Sequence, residues 1–211
     1  MSIEVQVLGT VNYEDALRIQ NKAVDDLIAG IGNEKLFLLE HEPIYTIGRT
    51  RDQSSLLDRE LLPFPVVETN RGGQATYHGP GQLVGYPVLD LNRRGRDLHI
   101  YLRRLEEVLI ALCGEWEVAA SRRVGLTGVW VGENKIASLG VGVRKWVTMH
   151  GFALNVLESS LAPFSNISPC GLPGVVMTSL EGEGAALSGM DAVQARAATL
   201  FLQAFADLKI K

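Results

Sequence analysis

Arg71-Gly-Gly-Gln-Ala-Thr-Tyr-His-Gly-Pro-Gly-Gln-Leu-Val-Gly-Tyr86 decides how this 211-residue chain is to be read. Gly72-Gly73 permits positive φ and close backbone approach, and Gly79-Pro80-Gly81 forces a sharp turn directly after His78. Such turns expose backbone N–H groups that can bind a carbonyl oxygen or a phosphate. Equally, the stretch reads as a tight hairpin whose histidine bonds only the backbone. A short strand from Val66 to Thr69 leads in, and a longer one from Leu83 to Leu91 leads out. Pro87, which has no N–H to give a ladder, marks that second strand as an edge or a bulge. The glycines match neither a G-x-x-x-x-G-K-[ST] phosphate loop nor a G-x-G-x-x-G turn opening a helix.

Outward from this stretch, helical and strand periodicities alternate without a βαβ rhythm. The first helix is expected from about Glu14 to Ala29, with Asn12 as its cap and Gly30 as its stop. Leu17, Val24, Leu27 and Ile28 share one face. Strands follow at Lys35–Leu39 and Ile44–Gly48. The clearest helix runs from Leu98 to Cys113. Asp97 can cap it, and Leu98, Tyr101, Leu102, Leu105, Val108, Leu109 and Leu112 make an apolar stripe. Strands are then expected at Gly128–Val131, Lys135–Val143 and Trp146–Val156, the first two joined through Gly132-Glu-Asn134. Gly182–Gly189 reads as a loop. A last helix from about Met190 to Leu208 would turn Val193, Ala197, Leu200, Phe201, Ala204 and Leu208 inward. The pattern predicts one α+β domain over residues 1–211, with a mixed, mainly antiparallel sheet and flanking helices.

Composition agrees with a soluble globular chain: 46% apolar and 21% charged residues, with a formal net charge of -4. The acidic balance argues against a general nucleic-acid binder. No run of about 18 apolar residues suggests a membrane span. The N-terminus shows no basic-then-apolar leader, so a cytoplasmic protein is expected. Two cysteines, Cys113 and Cys170, make no disulfide framework.

Cys113 falls on the apolar helix and reads as packing. Cys170 lies in Ser168-Pro169-Cys170-Gly171. Pro169 interrupts regular structure just before it, and Gly171 puts no Cβ beside the sulfur. A thiol on an open turn can be reactive. Lys135 opens an apolar strand. Beside a thiol its ammonium would favour the thiolate; as a neutral amine it could accept protons. It could also be an ordinary solvated hairpin lysine. His150 could pair with Cys170, or be a satisfied sheet histidine. His41 and His99 look ordinary. No close His/Cys spacing suggests a metal.

Together these segments resemble the lipoyl(octanoyl) transferase family, also called lipoate-protein ligase B. The markers are His41-Glu-Pro-Ile-Tyr-Thr-Ile-Gly-Arg49, the Arg71–Tyr86 stretch, Gly128-Val-Trp130, Lys135-Ile-Ala-Ser138, His150-Gly-Phe-Ala-Leu-Asn155 and Pro169-Cys-Gly171. They span nearly the whole chain. Ile44 and Ile47 stand where Val and Leu are common in the family. The resemblance implies the biotin/lipoyl protein ligase fold. It also implies transfer of an octanoyl group from the phosphopantetheine of acyl carrier protein to a lysine of an apo lipoyl domain. Acceptors would be 2-oxo acid dehydrogenase subunits or the glycine cleavage carrier protein.

In that role Cys170 would be the acyl-thioester nucleophile and Lys135 would lower its pKa. Lys135 or His78 would accept the acceptor's proton, and Gly171 with nearby turn amides would hold the oxyanion. The acyl and pantetheine site would be lined by Arg71, Gly72, Gly73, Gln74, Ala75, Thr76, Tyr77 and His78, by Ser138, Leu139 and Gly140, and by Gly151, Phe152 and Ala153. No metal, cofactor or ATP is expected, and the chain is expected to be monomeric.

Basic pairs at Arg93-Arg94, Arg103-Arg104, Arg122-Arg123 and Arg144-Lys145 could steer acidic carrier proteins, or simply be scattered solvated charges. Rival readings are an ATP-dependent lipoate or biotin ligase, a thiol hydrolase, and a non-catalytic lipoyl-domain-binding module.

Overall fold

The computed structural model describes residues 2–50, 53–169 and 174–206. Nine strands and three α-helices are formed among them: β1 (Glu4–Val11), α1 (Tyr13–Ile28), β2 (Lys35–His41), β3 (Ile44–Ile47), β4 (Val66–Glu68), β5 (Thr76–His78), β6 (Gln82–Val88), α2 (Leu98–Gly114), β7 (Val129–Val131), β8 (Asn134–Arg144), β9 (Val147–Asn155) and α3 (Met190–Phe205).

A six-stranded sheet has the order β1-β2-β6-β9-β8-β7, and a three-stranded sheet has the order β4-β3-β5. β1 runs parallel to β2 and β4 parallel to β3; the other pairs are antiparallel. The α+β class and the mainly antiparallel mixed sheet are as the sequence predicts.

The helix boundaries follow from local chemistry. Asn12 Oδ1 accepts from Asp15 N at 2.9 Å, while Glu14 and Asp15 sit at the positive end of the α1 dipole. Asp97 caps α2 through Ile100 N at 2.9 Å. α1 lays Ala16, Ala23, Val24 and Leu27 on one face of the large sheet, against Phe37, Leu39, Val84 and Val88. α2 and α3 pack on each other and cover the opposite face, where Leu36, Leu38, Leu83 and Leu154 meet Leu105, Leu109, Val193 and Phe201. Each such side chain contributes about 1.5–3 kcal/mol by leaving water. Cys113 is in this core, and burial pushes its thiol up to about 12. The small sheet has its own cluster, in which Tyr45, Ile47, Leu56, Tyr77, Phe164 and Ile167 pack together.

Four expectations need correction. Pro87 is not on an edge: β6 lies between β2 and β9. It occupies a gap in the ladder, which stops at Gly85–Phe152 and resumes where Leu89 N bonds Thr148 Oγ1 at 2.9 Å. His150 N–H, freed by this gap, donates instead to Gln20 Oε1 at 2.8 Å. β6 ends at Val88 rather than Leu91, because Asp90 caps a short helical turn over Leu91–Arg93. β5 lies inside the stretch read as turn. Phe205, which the expected inward set for the last helix omits, is fully buried, and Leu208 lies outside the described residues.

The basic pairs are largely engaged within the chain. Arg94 is buried against Glu34, and its Nη1 donates to Phe205 O at 2.7 Å, closing the end of α3. Arg103 and Arg122 both reach the buried Glu106, at 2.7 and 2.9 Å. Arg123 pairs with Glu133, and Arg144 with Asp25. Arg94 therefore belongs to the core, not to a steering patch. No helix among the described residues is long and apolar enough to cross a membrane.

Candidate active site

Between the two sheets lies a cavity of about 460 Å³, counting its open mouth. Arg71, Gly73, Ala75, Thr76 and His78 line it from one side. Ser138, Leu139 and Gly140 on β8 and Gly151, Phe152 and Ala153 on β9 line it from the other, with Tyr13, Tyr86 and His150 completing it. The sequence-predicted segments are thus brought together.

Three of their members do not reach the cavity. Side chains alternate along β5, so Thr76 and His78 face the cavity while Tyr77 turns to the rings of Tyr45, Phe64 and Phe164. Gly72 borders a neighbouring groove instead. Gln74 contributes its backbone carbonyl to Arg71.

Arg71 locks the glycine-rich loop. Its Nη2 donates to Thr46 O and Thr46 Oγ1, both at 2.8 Å, and to Gln74 O at 2.7 Å, while Nη1 donates to Gly72 O at 2.9 Å. The loop can close on β3 because Gly48 has no side chain: a Cβ there would lie 2.0 Å from Gly73 O.

His78 is buried and neutral. Its Nδ1 lies 2.7 Å from Gln82 Oε1. Gln82 Nε2 donates to Tyr77 O at 3.2 Å and to Asn155 Oδ1 at 2.9 Å, so Oε1 is the atom that faces the histidine. Nδ1 therefore carries the proton, and Nε2 presents a lone pair. Burial, then the neighbouring His41 and Arg71, hold the imidazole well below its ordinary pKa. Asn155 Nδ2 extends the chain of bonds to Thr178 O at 3.0 Å.

Lys135 is 1% exposed. The solvated-hairpin alternative is excluded. Its Nζ stands 5.4 Å from the Trp130 ring centroid, within cation–π reach. Gly128, at φ +129, makes the space: a Cβ there would fall 2.6 Å from Lys135 Cε. Glu106, held by its two arginines, accepts from Gly128 N at 3.1 Å and so fixes that backbone. Lys135 N donates to Val176 O at 2.8 Å, and Thr178 N donates to Lys135 O at 2.9 Å.

Cys170 and Gly171 lie outside the described residues. The described chain before them is fastened by Ser168 N to Ser55 O at 2.8 Å, and the chain after them by the Val176–Thr178 contact with Lys135.

His150 Nε2–H donates to Asn70 Oδ1 at 2.6 Å, leaving Nδ1 buried without a hydrogen-bond partner at the cavity. Burial, aided by Arg71, lowers its pKa to about 4. Thr76 Oγ1 and Ser138 Oγ on the same lining are also buried and unpartnered. His41 is a structural histidine, donating from Nδ1 to Val11 O at 2.9 Å and accepting at Nε2 from Tyr86 OH at 2.7 Å. Among the described residues no His/Cys/Asp/Glu group could hold a metal ion.

Sequence reasoning missed Tyr13, Thr46, Gln82, Asn155 and Glu106. Gln82 and Asn155 stand inside motifs already singled out, one turn beyond His78 and at the end of the His150 segment. Glu106 gave a signal of its own, a carboxylate on an otherwise apolar helix face.

The model of the lipoyl protein ligase A/B catalytic domain matches residues 12–202. An octanoyltransferase of Citrifermentans bemidjiense is 57% identical over 176 residues, covering 83% of this chain and 84% of that protein. One from Geotalea uraniireducens is 52% identical over 194 residues, covering 92% and 89%. Among solved structures, a lipoate-protein ligase A bound with ATP superimposes with a TM-score of 0.82 at 16% identity, over 98% of this chain and 86% of that one. The bi-partite lipoate protein ligase of Thermoplasma acidophilum gives 0.74 at 18% identity, over 98% and 84%. At these identities the structures speak to the fold alone, which is that of the lipoate ligases.

Proposed function

The chain belongs to the lipoyl protein ligase A/B catalytic domain family and is an acyltransferase of the octanoyltransferase type; from that premise we propose that it moves an octanoyl group from acyl carrier protein to a lysine of an apo lipoyl domain, through a thioester on Cys170. The observation that carries this reading is a mostly apolar cavity bordered by the neutral buried His78 of β5 and by β8, the strand that carries the fully buried Lys135. The acyl chain lies in that cavity between β8, β9 and the Arg71–His78 segment.

The thiolate of Cys170 attacks the octanoyl carbonyl, the carbon–sulfur bond to phosphopantetheine breaks, and the departing thiolate takes a proton. In this reading the Lys135 ammonium favours the attacking thiolate and supplies that proton. The acceptor amine then attacks the Cys170 thioester, gives up a proton and releases the thiolate. His78 Nε2, whose lone pair is fixed by the bond from Nδ1 to Gln82, or the now neutral Lys135 takes that proton. Thioester exchange is nearly balanced and sulfur-to-nitrogen transfer is downhill, so no nucleotide is needed.

The test is transfer from octanoyl-acyl carrier protein to an apo lipoyl domain, with and without ATP, beside free octanoate with ATP. Product from the carrier without ATP supports the reading. Product only from free octanoate with ATP would make the chain a ligase, and binding of the domain without any product would make it a binding module.

A further inference from the structure

A second space, a solvent-open groove, adjoins the cavity through Gly73, Leu139 and Gly140. Leu98 and Leu102 of α2 and Leu126 give it apolar walls, and the exposed Arg49 is part of its lining. Thr127, the neighbour of Gly128, brings the groove to Lys135. A Cβ on Gly128 would fall 3.2 Å from Lys135 Nζ and 2.8 Å from Ala137 O. The ammonium is therefore close to Ala137, two residues or roughly 7 Å along β8 from Leu139.

The edge of β8 that meets the groove is open. Val141 stands opposite His150 in the ladder with β9, yet His150 N–H turns away to Gln20 Oε1, and Val141 O turns away to accept from Gly72 N at 2.8 Å. Peptide groups alternate in direction along an antiparallel strand, so those of Ala137, Leu139 and Val141 all point away from β9. Ala137 is covered by Val129 of β7, and Val141 O by Gly72. Between them β7 has ended, and neither Leu139 N–H nor Leu139 C=O has a partner among the described residues. One donor and one acceptor thus face the groove, spaced to exchange both hydrogen bonds with a single amide, as an added strand would.

We propose that the groove holds the phosphopantetheine arm of the donor, with one amide of the arm paired to Leu139 N–H and C=O. The arm is an extended chain with two amides, a pair of methyl groups and a terminal phosphodiester. Its methyls meet Leu98 and Leu102, and its phosphodiester meets the Arg49 guanidinium. This deepens the function proposed above, which puts the thioester at Lys135. Along β8 the order is ammonium, open amide slot, then Val141. Arg49 follows, because its N–H donates at 3.0 Å to the carbonyl of Arg71, the residue before Gly72. The arm runs in the same order, from thioester through amide to phosphate. An acceptor lysine has only methylenes behind its amine, so it leaves the slot unpaired.

Wild type, Leu139→Ala, Leu139→Pro and Arg49→Ala are assayed with S-ethyl octanethioate, octanoyl-pantetheine and octanoyl-phosphopantetheine, reading octanoyl product on an apo lipoyl domain by mass. Proline removes only an N–H that the ladder with β9 does not use, and alanine controls for the lost side chain. Wild type is expected to favour octanoyl-pantetheine over the ethyl thioester at least tenfold in kcat/KM, and Leu139→Pro to reduce that preference about tenfold relative to Leu139→Ala. Arg49→Ala is expected to lower the preference for the phosphorylated arm about fivefold at low salt, leaving the pantetheine-to-ethyl ratio unchanged. These ratios are unaffected by a uniform loss of active protein. Wild type using the ethyl thioester as well as octanoyl-pantetheine would overturn the inference alone, even if Leu139→Pro did not fold. So would a Leu139→Pro ratio within twofold of Leu139→Ala, or a KM raised for the acceptor domain in place of the donor. No transfer by wild type from these donors or from octanoyl-acyl carrier protein would overturn the proposed function and this inference together.

Discussion

Replacing Gly128 with alanine probes how Lys135 is held. The new Cβ would stand 2.6 Å from Lys135 Cε and 2.8 Å from Ala137 O. The side chain can be pushed aside, but the carbonyl belongs to β8 and moves only if β7 and β8 part. An L-residue at φ +129 is also strained, by about 1–3 kcal/mol. Overpacking in a filled interior adds about 1–3 kcal/mol. With roughly 2–4 °C of Tm per kcal/mol for a chain of this size, Gly128→Ala should lower Tm by about 4–24 °C. Displacing the lysine by an ångström should reduce transfer on the order of 100-fold at temperatures where the variant remains folded. The checks are thermal denaturation by circular dichroism and octanoyl transfer at 15 °C. A variant within 1 °C of wild type, with unchanged turnover, would refute the idea that Gly128 makes room for the Lys135 stem.

Lys135→Met, made in a Cys113→Ala background, should move the pH profile of Cys170 alkylation upward by roughly one unit or more, since the ammonium that favours the thiolate is gone; an unmoved profile removes Lys135 from thiol activation. Cys113→Ala alone should leave turnover within twofold of wild type, because that thiol is core packing. Arg94→Ala leaves Glu34 buried without its partner and should cost about 3–5 kcal/mol in urea unfolding, with KM for the carrier protein unchanged; an intact protein with a raised KM would restore the steering role. His41 and His150 have folded pKa values lowered to about 4 against 6.5 in the unfolded chain. The unfolded state therefore takes up protons first as pH falls, and stability should drop between pH 6.5 and 4, by about 3 kcal/mol per histidine. His150→Asn, whose side chain tolerates the positive φ at this position, should flatten part of that decline; a parallel curve would show that His150 is already protonated in the fold.

Elements with strong periodicity were legible in the sequence. α2 is one: Asp97, the apolar stripe and Cys113 lie where the pattern puts them. β1 was not, because Glu4–Val11 is largely half-exposed and its pairing with β2 is parallel, supplied by a strand 31 residues away. β5 was hidden by its glycine-rich surroundings. Its three residues become a strand only because β3 offers a partner, through Thr46–Thr76, Tyr45–Tyr77 and Ile44–His78. The site was legible as segments, not as faces. Reading Arg71–His78 as one lining could not separate Tyr77 from its neighbours, which requires knowing that a two-residue period begins at Thr76. Lys135 looked like a turn lysine because its burial depends on Gly128, Trp130 and Met177, all brought in by tertiary pairing. The basic pairs looked like free charge because Glu34 and Glu106 are far from them in sequence or shared between two arginines.

The central claim, that the acyl group rests on Cys170 between donor and acceptor, is tested by intact mass. The protein is mixed with octanoyl-acyl carrier protein without ATP, beside Cys170→Ser. One added octanoyl group on the wild type, absent from the variant and discharged by an apo lipoyl domain, is the predicted result. Transfer to the domain at full rate by Cys170→Ser, with no adduct on either protein, would contradict it.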